Sequence, residues 1–227
     1  KIIYGTLRGS LKNPLIVFVH GLSGYKDEHI YFNGARYFEK QGYSTFRFDL
    51  YGYKTDARKL QNCTLSTHAQ DLDTVIIYFR DKKVKTVFVI GHSFGGPTIL
   101  LSKQKDFDNV VLWDPSIKTN LEKDVKYIKG IDAYYVDWGS AVIIGKLMIN
   151  EDRSINPLAL IRKIHVPIKL IFAGKGELKE KDWKRYFDNA NQPKEIAVIP
   201  KASHNFNEDG TEEKLFEETL RWLKKFS

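Results

Sequence analysis

Short apolar segments alternate with longer amphipathic segments at least five times along this 227-residue chain. The apolar segments are rich in β-branched and aromatic residues and are nearly continuous in hydrophobicity, which is typical of strands buried on both faces. The alternation therefore predicts a mostly parallel sheet with helices on both faces. The clearest predicted strands are residues 15–19, 44–48, 87–90, 110–113, 168–172 and 196–199, with an antiparallel edge expected at residues 2–7. Helices are predicted at residues 29–41, 66–80, 95–105, 179–190 and 211–225.

Residues 115–156 interrupt this alternation, because they separate two predicted core strands by far more than an ordinary connection requires. Their aromatic and apolar content argues against a disordered linker. Residues 138–140, Trp-Gly-Ser, are a candidate hairpin turn. We therefore predict one domain over residues 1–227, with residues 115–156 forming a small folded lid.

Charge and cysteine content exclude several other classes of protein. The formal net charge is +8, but the lysines and arginines are dispersed among acidic residues, so no nucleic-acid-binding stripe is expected. Cys63 is the only cysteine, which excludes an internal disulfide, and no Cys/His spacing predicts a zinc site. No segment has the roughly 20 continuous apolar residues of a membrane span. No secretory signal opens the chain, although it begins at Lys1 rather than Met, so a soluble, cytoplasmic protein is expected.

The most informative motif is a G-x-S-x-G turn between a predicted strand and a predicted helix. The segment from Val87 to Gly96 reads Val-Phe-Val-Ile-Gly-His-Ser-Phe-Gly-Gly. A nucleophilic serine requires this context, because a tight strand-to-helix turn lifts its hydroxyl out of the sheet. Gly91 and Gly95 relieve the crowding that side chains would cause beside the turn. The motif predicts Ser93 as a nucleophile.

A serine hydroxyl needs a base to accept its proton and an acid to orient that base. His204 follows the last predicted strand, where the base is expected, and no other histidine does. Glu177 follows the preceding strand, Lys169-Leu170-Ile171-Phe172-Ala173, and is assigned as the acid. Other carboxylates remain as alternatives for this role: first Asp114 at the end of the strand at 110–113, then Glu180 and Asp182.

Acyl transfer also requires hydrogen-bond donors aimed at the oxygen that becomes negative, and backbone amides held by the fold serve this purpose. The N–H of Phe94, at the helix N-terminus directly after the nucleophile, is one candidate. The loop His20-Gly21-Leu22-Ser23-Gly24 supplies the N–H of Leu22 as the second, and the imidazole of His20 is expected to brace that loop. The remaining four histidines are expected to be structural or surface residues: His29, His68, His92 and His165.

Together these motifs resemble the α/β-hydrolase superfamily along nearly the whole chain. The segments that match are His20-Gly21, Asp49 to Gly52, Gly91 to Gly96, Gly174 to Glu177 and Ser203-His204. The segment from His20 to Glu28, together with the long insertion, is similar to small carboxylesterases that include cinnamoyl and feruloyl esterases. That resemblance implies a lid with a short hairpin over an acyl or aryl pocket. Two positions depart from the family pattern: Glu177, where members often carry Asp, and Lys54, in what is often a glycine-rich turn.

The expected protein is thus a serine carboxylesterase with the α/β-hydrolase fold, which cleaves small acyl or aryl esters through an acyl-enzyme on Ser93. No metal or organic cofactor is implied, and the expected partner is a small-molecule ester. Two alternatives remain open: a peptidase, thioesterase or lipase with the same triad, and a non-catalytic binding protein on the same fold. Nucleic-acid binding ranks last.

Overall fold

The computed structural model describes residues 1–116, 121, 125–137 and 141–227. Ten strands lie in these ranges: β1 (Gly5–Arg8), β2 (Leu15–Val19), β3 (Ser44–Phe48), β4 (Val87–His92), β5 (Asn109–Trp113), β6 (Val125–Ile128), β7 (Ala133–Asp137), β8 (Ala141–Gly145), β9 (Ile168–Ala173) and β10 (Lys194–Ile199). They hold seven α-helices: α1 (His29–Lys40), α2 (Leu65–Asp81), α3 (Gly95–Leu101), α4 (Lys146–Asp152), α5 (Pro157–Ile161), α6 (Glu180–Asn189) and α7 (Thr211–Leu223).

Seven of these strands form the central sheet, in the order β1-β3-β2-β4-β5-β9-β10. Its strand pairs are parallel, apart from the antiparallel pair that β1 makes with β3 at the edge. The predicted fold class, a mostly parallel sheet between helices, is confirmed. The chain continues from β2 to β3 on one side of the sheet and from β4 to β5 on the other side. These two connections therefore diverge at the carboxyl ends of β2 and β4, which are neighbours in the sheet. Open α/β sheets bind their ligands at such a switch point.

Alternate residues of the strands pack on opposite faces of this sheet, as buried strands require. Leu15 and Val17 of β2 contribute to a core that includes apolar residues of α2, α3, α5 and α6. Ile16 and Phe18, which alternate with these residues along β2, contribute to a second core with α1 and α7. Both faces of β2 are therefore fully covered, which explains its unbroken apolar sequence.

Helix α3 is shorter than predicted, because it ends at Leu101 rather than near residue 105. The backbone of Ser102 leaves the helical region, with φ −47° and ψ 132°. The hydroxyl of Ser102 hydrogen-bonds to Asp73 of α2, whose other carboxylate oxygen accepts from the N–H of Lys103 at 3.0 Å. These contacts with a neighbouring helix end α3, and sequence periodicity carries no signal of them.

The insertion contains more regular structure than the single hairpin predicted from its sequence. β6, β7 and β8 form a separate antiparallel sheet, and α4 follows it within the insertion. Val136, Val142 and Ile144 of this sheet belong to a buried cluster with Phe94, the residue after the predicted nucleophile. The candidate turn at residues 138–140 lies outside the described residues, although β7 and β8 on either side of it pair antiparallel. None of the described helices is long and apolar enough to span a bilayer.

Candidate active site

Ser93 occupies a sharp turn between β4, which ends at His92, and α3, which begins at Gly95. Its φ is +54°, a left-handed conformation that costs a non-glycine residue about 1–3 kcal/mol. Hydrogen bonds on both sides hold this backbone in place: the N–H of Ser93 donates to Trp113 O at 3.0 Å, and its carbonyl accepts from the N–H of Gly96 at 3.0 Å. The strained turn expected of a G-x-S-x-G nucleophile is therefore present.

The glycines of the motif are needed for close backbone packing around this turn. An ideal Cβ added at Gly95 would lie 2.2 Å from the carbonyl oxygen of Val19, at the end of β2. A Cβ at Gly91 would lie 2.6 Å from the carbonyl oxygen of Gly95. Both obstructing atoms belong to the backbone and cannot rotate away, so a larger residue at either position must displace the turn.

We expect Gly95→Ala to destabilise the protein by about 2 kcal/mol, since inserting a methyl group into well-packed structure typically costs about 1–3 kcal/mol. It should also lower any Ser93-dependent activity, because the shift occurs two residues from the hydroxyl. Gly130→Ala is the matched control, since a Cβ there meets no atom within 4 Å. Urea unfolding of both variants checks the prediction, and equal stabilities would contradict it.

His204 and Asp114 meet at the carboxyl edge of the sheet. Nδ1 of His204 lies 2.6 Å from Oδ2 of Asp114, and the other carboxylate oxygen of Asp114 accepts from the N–H of Ala173 at 3.1 Å. Asp114 is 2% exposed, whereas the His204 side chain is 41% exposed. Because a carboxylate only accepts hydrogen bonds, Nδ1 carries the proton and Nε2 keeps a free lone pair. His204 is thus in the tautomer of a general base.

Glu177 does not hold the position assigned to it from the sequence. It lies exposed in the turn after β9, and the described residues show no hydrogen bond between it and His204. The turn instead brings Gly176 against the other acid, since a Cβ at Gly176 would lie 2.9 Å from Oδ2 of Asp114. The acid beside His204 is therefore Asp114, the first alternative, and the assignment to Glu177 is wrong in this structure.

Ser93 and His204 make no hydrogen bond within 3.5 Å in the part of the chain that the structure describes. Hydrogen bonds between a nucleophile and its base are often long without substrate and shorten in the substrate complex. The arrangement therefore contains an oriented histidine and a strained serine at the same edge of the sheet, without a hydrogen bond between them.

The loop after β2 lies directly against Ser93. A Cβ at Gly21 would lie 3.0 Å from Cβ of Ser93 and 3.5 Å from its Oγ. The N–H groups of Leu22 and Phe94, the predicted oxyanion donors, have no hydrogen-bond acceptor among the described residues. Unpaired backbone amides in the residue after a serine and in a loop that contacts it are the type of donor that can bind a developing negative charge.

His20 braces this loop, as predicted. Its Nδ1 lies 2.8 Å from the carbonyl oxygen of Gly21, and its Nε2 accepts from the N–H of Leu50 at 3.0 Å. Burial is the main cause that lowers the pKa of His20, so the ring stays neutral and keeps both contacts. The imidazole thereby joins the loop after β2 to the chain after β3.

A cavity of about 1210 Å³ lies beside the loop after β2. Its described lining includes Ser23 and Gly24, next to Leu22, but neither Ser93 nor His204. Tyr51 and Val142 line it and also belong to the buried cluster that contains Phe94 and Leu22. Side chains of this cluster, some of them supplied by the insertion, therefore form part of the cavity wall.

Comparisons with known proteins agree with this architecture. Est1E from Butyrivibrio proteoclasticus with bound ferulic acid has a similar structure, with 18% identity, a TM-score of 0.81, and coverage of 98% of this chain and 96% of that one. A monoacylglycerol lipase from Paleococcus ferrophilus matches with 16% identity and a TM-score of 0.75, over 100% of both chains. The thioesterase domain from the curacin biosynthetic pathway matches with 16% identity and a TM-score of 0.68, over 96% of this chain and 94% of that one.

At these identities the similarities show the fold alone, and no curated protein matches the sequence. The model of the alpha/beta hydrolase fold family matches residues 14–198, most of the central sheet and its helices. With a strained serine after β4 and a histidine–carboxylate pair at the same edge of the sheet, the chain belongs to the α/β-hydrolase fold family.

Proposed function

We propose that this protein is a serine carboxylesterase that hydrolyses small acyl or aryl esters. The observation that carries the proposal is the 2.6 Å contact between Nδ1 of His204 and Asp114, which orients an imidazole at the sheet edge where Ser93 sits in a strained turn. The proposed triad is Ser93, His204 and Asp114. The similar structures of Est1E with ferulic acid, of a monoacylglycerol lipase and of a thioesterase domain support acyl transfer as the general chemistry.

The proposed reaction has two steps. Oγ of Ser93 attacks the ester carbonyl carbon while Nε2 of His204 takes the hydroxyl proton. The carbonyl oxygen becomes negative and accepts hydrogen bonds from the N–H groups of Leu22 and Phe94. The C–O bond then breaks, and the alcohol leaves with the proton from His204. Water, deprotonated by the same imidazole, attacks the acyl-enzyme in the same way and releases the acid.

Asp114 supports both steps through the charge on the base. When His204 becomes an imidazolium, the carboxylate 2.6 Å from its Nδ1 stabilises the positive charge. The carboxylate is itself oriented by the N–H of Ala173. It therefore holds the ring in one tautomer without accepting the proton.

The insertion is proposed to act as a lid over the acyl or aryl group. Its sheet packs through Val136, Val142 and Ile144 in the cluster that contains Phe94, and Val142 also lines the neighbouring cavity. Movement of this sheet would join the cavity to the nucleophile. The ferulic acid bound to Est1E, whose structure covers 98% of this chain, is consistent with an aryl acid as one product.

The test is hydrolysis of p-nitrophenyl esters from acetate to long acyl chains, with Ser93→Ala assayed in parallel. Turnover of short esters by the wild type alone would support the proposal, and hydroxycinnamate esters would then be compared with them. A fluorophosphonate probe tests the nucleophile directly, since it should label the wild type and not Ser93→Ala. If the wild type neither hydrolyses the esters nor reacts with the probe, the proposed catalytic function is wrong and a binding protein is favoured.

Matched substrates distinguish the esterase from its closest rivals. The same acyl group is offered as an oxygen ester, a thioester, an amide and a monoacylglycerol. A carboxylesterase should have its highest kcat/KM on the small oxygen ester. Preference for the thioester or the monoacylglycerol would assign the triad to a thioesterase or lipase instead, and preference for the amide to a peptidase.

A further inference from the structure

His92, the last residue of β4, links the nucleophile turn to the loop that carries the base. It directly precedes Ser93 and is 5% exposed. Its Nε2 lies 2.8 Å from the main-chain carbonyl oxygen of His204. The hydroxyl of Tyr31, a buried residue of α1, lies 3.2 Å from its Nδ1. The two imidazole rings also pack together, with centroids 4.7 Å apart and an interplanar angle of 36°.

These contacts determine the tautomer of His92. A carbonyl oxygen can only accept, so Nε2 of His92 carries the proton and donates it to His204 O. Nδ1 is then a bare acceptor, and the hydroxyl of Tyr31 must donate to it. Tyr31 thereby favours the one tautomer of His92 that holds the backbone of His204.

His92 also stays neutral beside the base. Burial, and next the proximity of His204, lower the pKa of His92 to about 3. At neutral pH the ring of His92, which packs against His204, therefore adds no positive charge that would oppose protonation of the base. A charged residue here would repel the imidazolium that ester hydrolysis requires.

Among the described residues, the other hydrogen bonds of the His204 loop do not reach β4, the strand that leads into Ser93. The N–H of Phe206 donates to Ser203 O at 3.0 Å, and the N–H of Ser203 donates to Glu208 at 2.8 Å. The carbonyl of Ala202 accepts from the N–H of Lys175 in the turn after β9. Of the hydrogen bonds described here for the His204 loop, the one from His92 therefore joins the base to β4, the strand that leads into Ser93.

We propose that His92 is a positioning residue that sets the place of His204 relative to Ser93, through its hydrogen bond to the His204 carbonyl and the packing of the two rings. This role rests on the proposed function, in which His204 is the base for Ser93. Tyr31 supports it by holding His92 in the required tautomer. A structural histidine at this position is thus part of the geometry of catalysis, although it touches no reacting atom.

Two variants separate the effect of the hydrogen bond from His92 to His204 from the effect of packing between the two rings. His92→Phe keeps an aromatic ring against His204 but has no donor. His92→Gln loses the ring but keeps an N–H group near the position of Nε2. We expect His92→Phe to lower kcat on a short p-nitrophenyl ester by about 10- to 100-fold, because small misplacements of catalytic groups have effects of that size. KM should remain unchanged, and His92→Gln should restore part of the lost kcat.

Further readouts distinguish positioning from simple loss of folding. His165→Gln, an exposed histidine, should keep the wild-type kcat, and the melting temperatures of all variants are compared with their kcat values. In His92→Phe the pH profile of kcat/KM should also shift, because the environment of the base changes. A wild-type kcat and pH profile in a folded His92→Phe, or a kcat loss that only follows the unfolded fraction, would overturn the proposal.

A measurement without substrate keeps this inference separate from the proposed function. In the wild type labelled with ¹⁵N-histidine, the imidazole nitrogen shifts should show His92 as the neutral Nε2–H tautomer, and His92→Phe should move the His204 signals. Observation of the Nδ1–H tautomer for His92 would overturn the positioning role whatever the activity. If the tautomer is as expected but no ester, thioester or amide is cleaved, the proposed function fails, and His92 is then only a structural support of the His204 loop.

Discussion

Asp114→Asn is expected to lower kcat by about 10⁴-fold, the size of the effect when a triad acid is replaced by its amide. The reason lies in the second contact of Asp114. Oδ1 accepts from the N–H of Ala173, so the oxygen of an asparagine would stay on that donor and its NH₂ group would face His204. Nδ1 of His204 would then have to accept, which moves the ring proton to Nε2. A protonated Nε2 cannot take the proton of Ser93.

Glu177→Gln is the matched control, since it makes the same chemical change in the carboxylate that the sequence favoured. It should leave kcat and KM unchanged, because Glu177 is exposed and makes no hydrogen bond to His204 in the described structure. Circular dichroism shows whether both variants are folded. The opposite pattern, a large loss in Glu177→Gln with an active Asp114→Asn, would return the acid role to Glu177.

Lys169→Ala is expected to reduce the free energy of unfolding by about 3 kcal/mol, the lower end of the cost of breaking a buried ion pair. The Lys169 side chain in β9 is fully buried, and its Nζ lies 2.8 Å from carboxylate oxygens of both Glu195 and Glu218. It also donates to the main-chain oxygen of Glu218 at 3.0 Å. The lysine thereby ties β9 to β10 and α7. Its removal leaves the two carboxylates, each about a quarter exposed, with only the more exposed Arg221 and Lys225 as cationic partners among the described residues.

Urea denaturation measures this loss, with Lys181→Ala as the control for removing a lysine from an exposed site. Lys169→Met tests whether the charge or the apolar stem is responsible, and it should share most of the loss because it removes the same buried ion pairs. A change of less than about 1 kcal/mol in Lys169→Ala, the value typical of a surface ion pair, would show that the glutamates are satisfied by other groups.

Local sequence signals were sufficient for the nucleophile turn. A strand, two glycines at the required spacing and a following helix all lie within residues 87–101, so the physical causes of the turn are neighbours in the chain. The placement of His204 was also predictable, since it follows the last strand of the sheet. For the same reason the alternation of buried strands and amphipathic helices predicted the fold class.

The acid could not be chosen from the sequence, because Asp114 and Glu177 both follow core strands. Strand order alone does not make the choice either, since β9, the strand before Glu177, lies between β5 and β10 in the sheet. The turn after β9 then packs Gly176 against Asp114 and leaves Glu177 in solvent.

The role of His92 was equally hidden, since its partners Tyr31 and His204 lie 61 and 112 residues away in sequence. The sequence by itself determined the buried strands, the strained serine turn and the placement of His204 after the last strand, because each follows from residues that are near neighbours in the chain. Only the tertiary structure decided which carboxylate and which second imidazole reach His204, because those contacts form between strand ends that are brought together by folding.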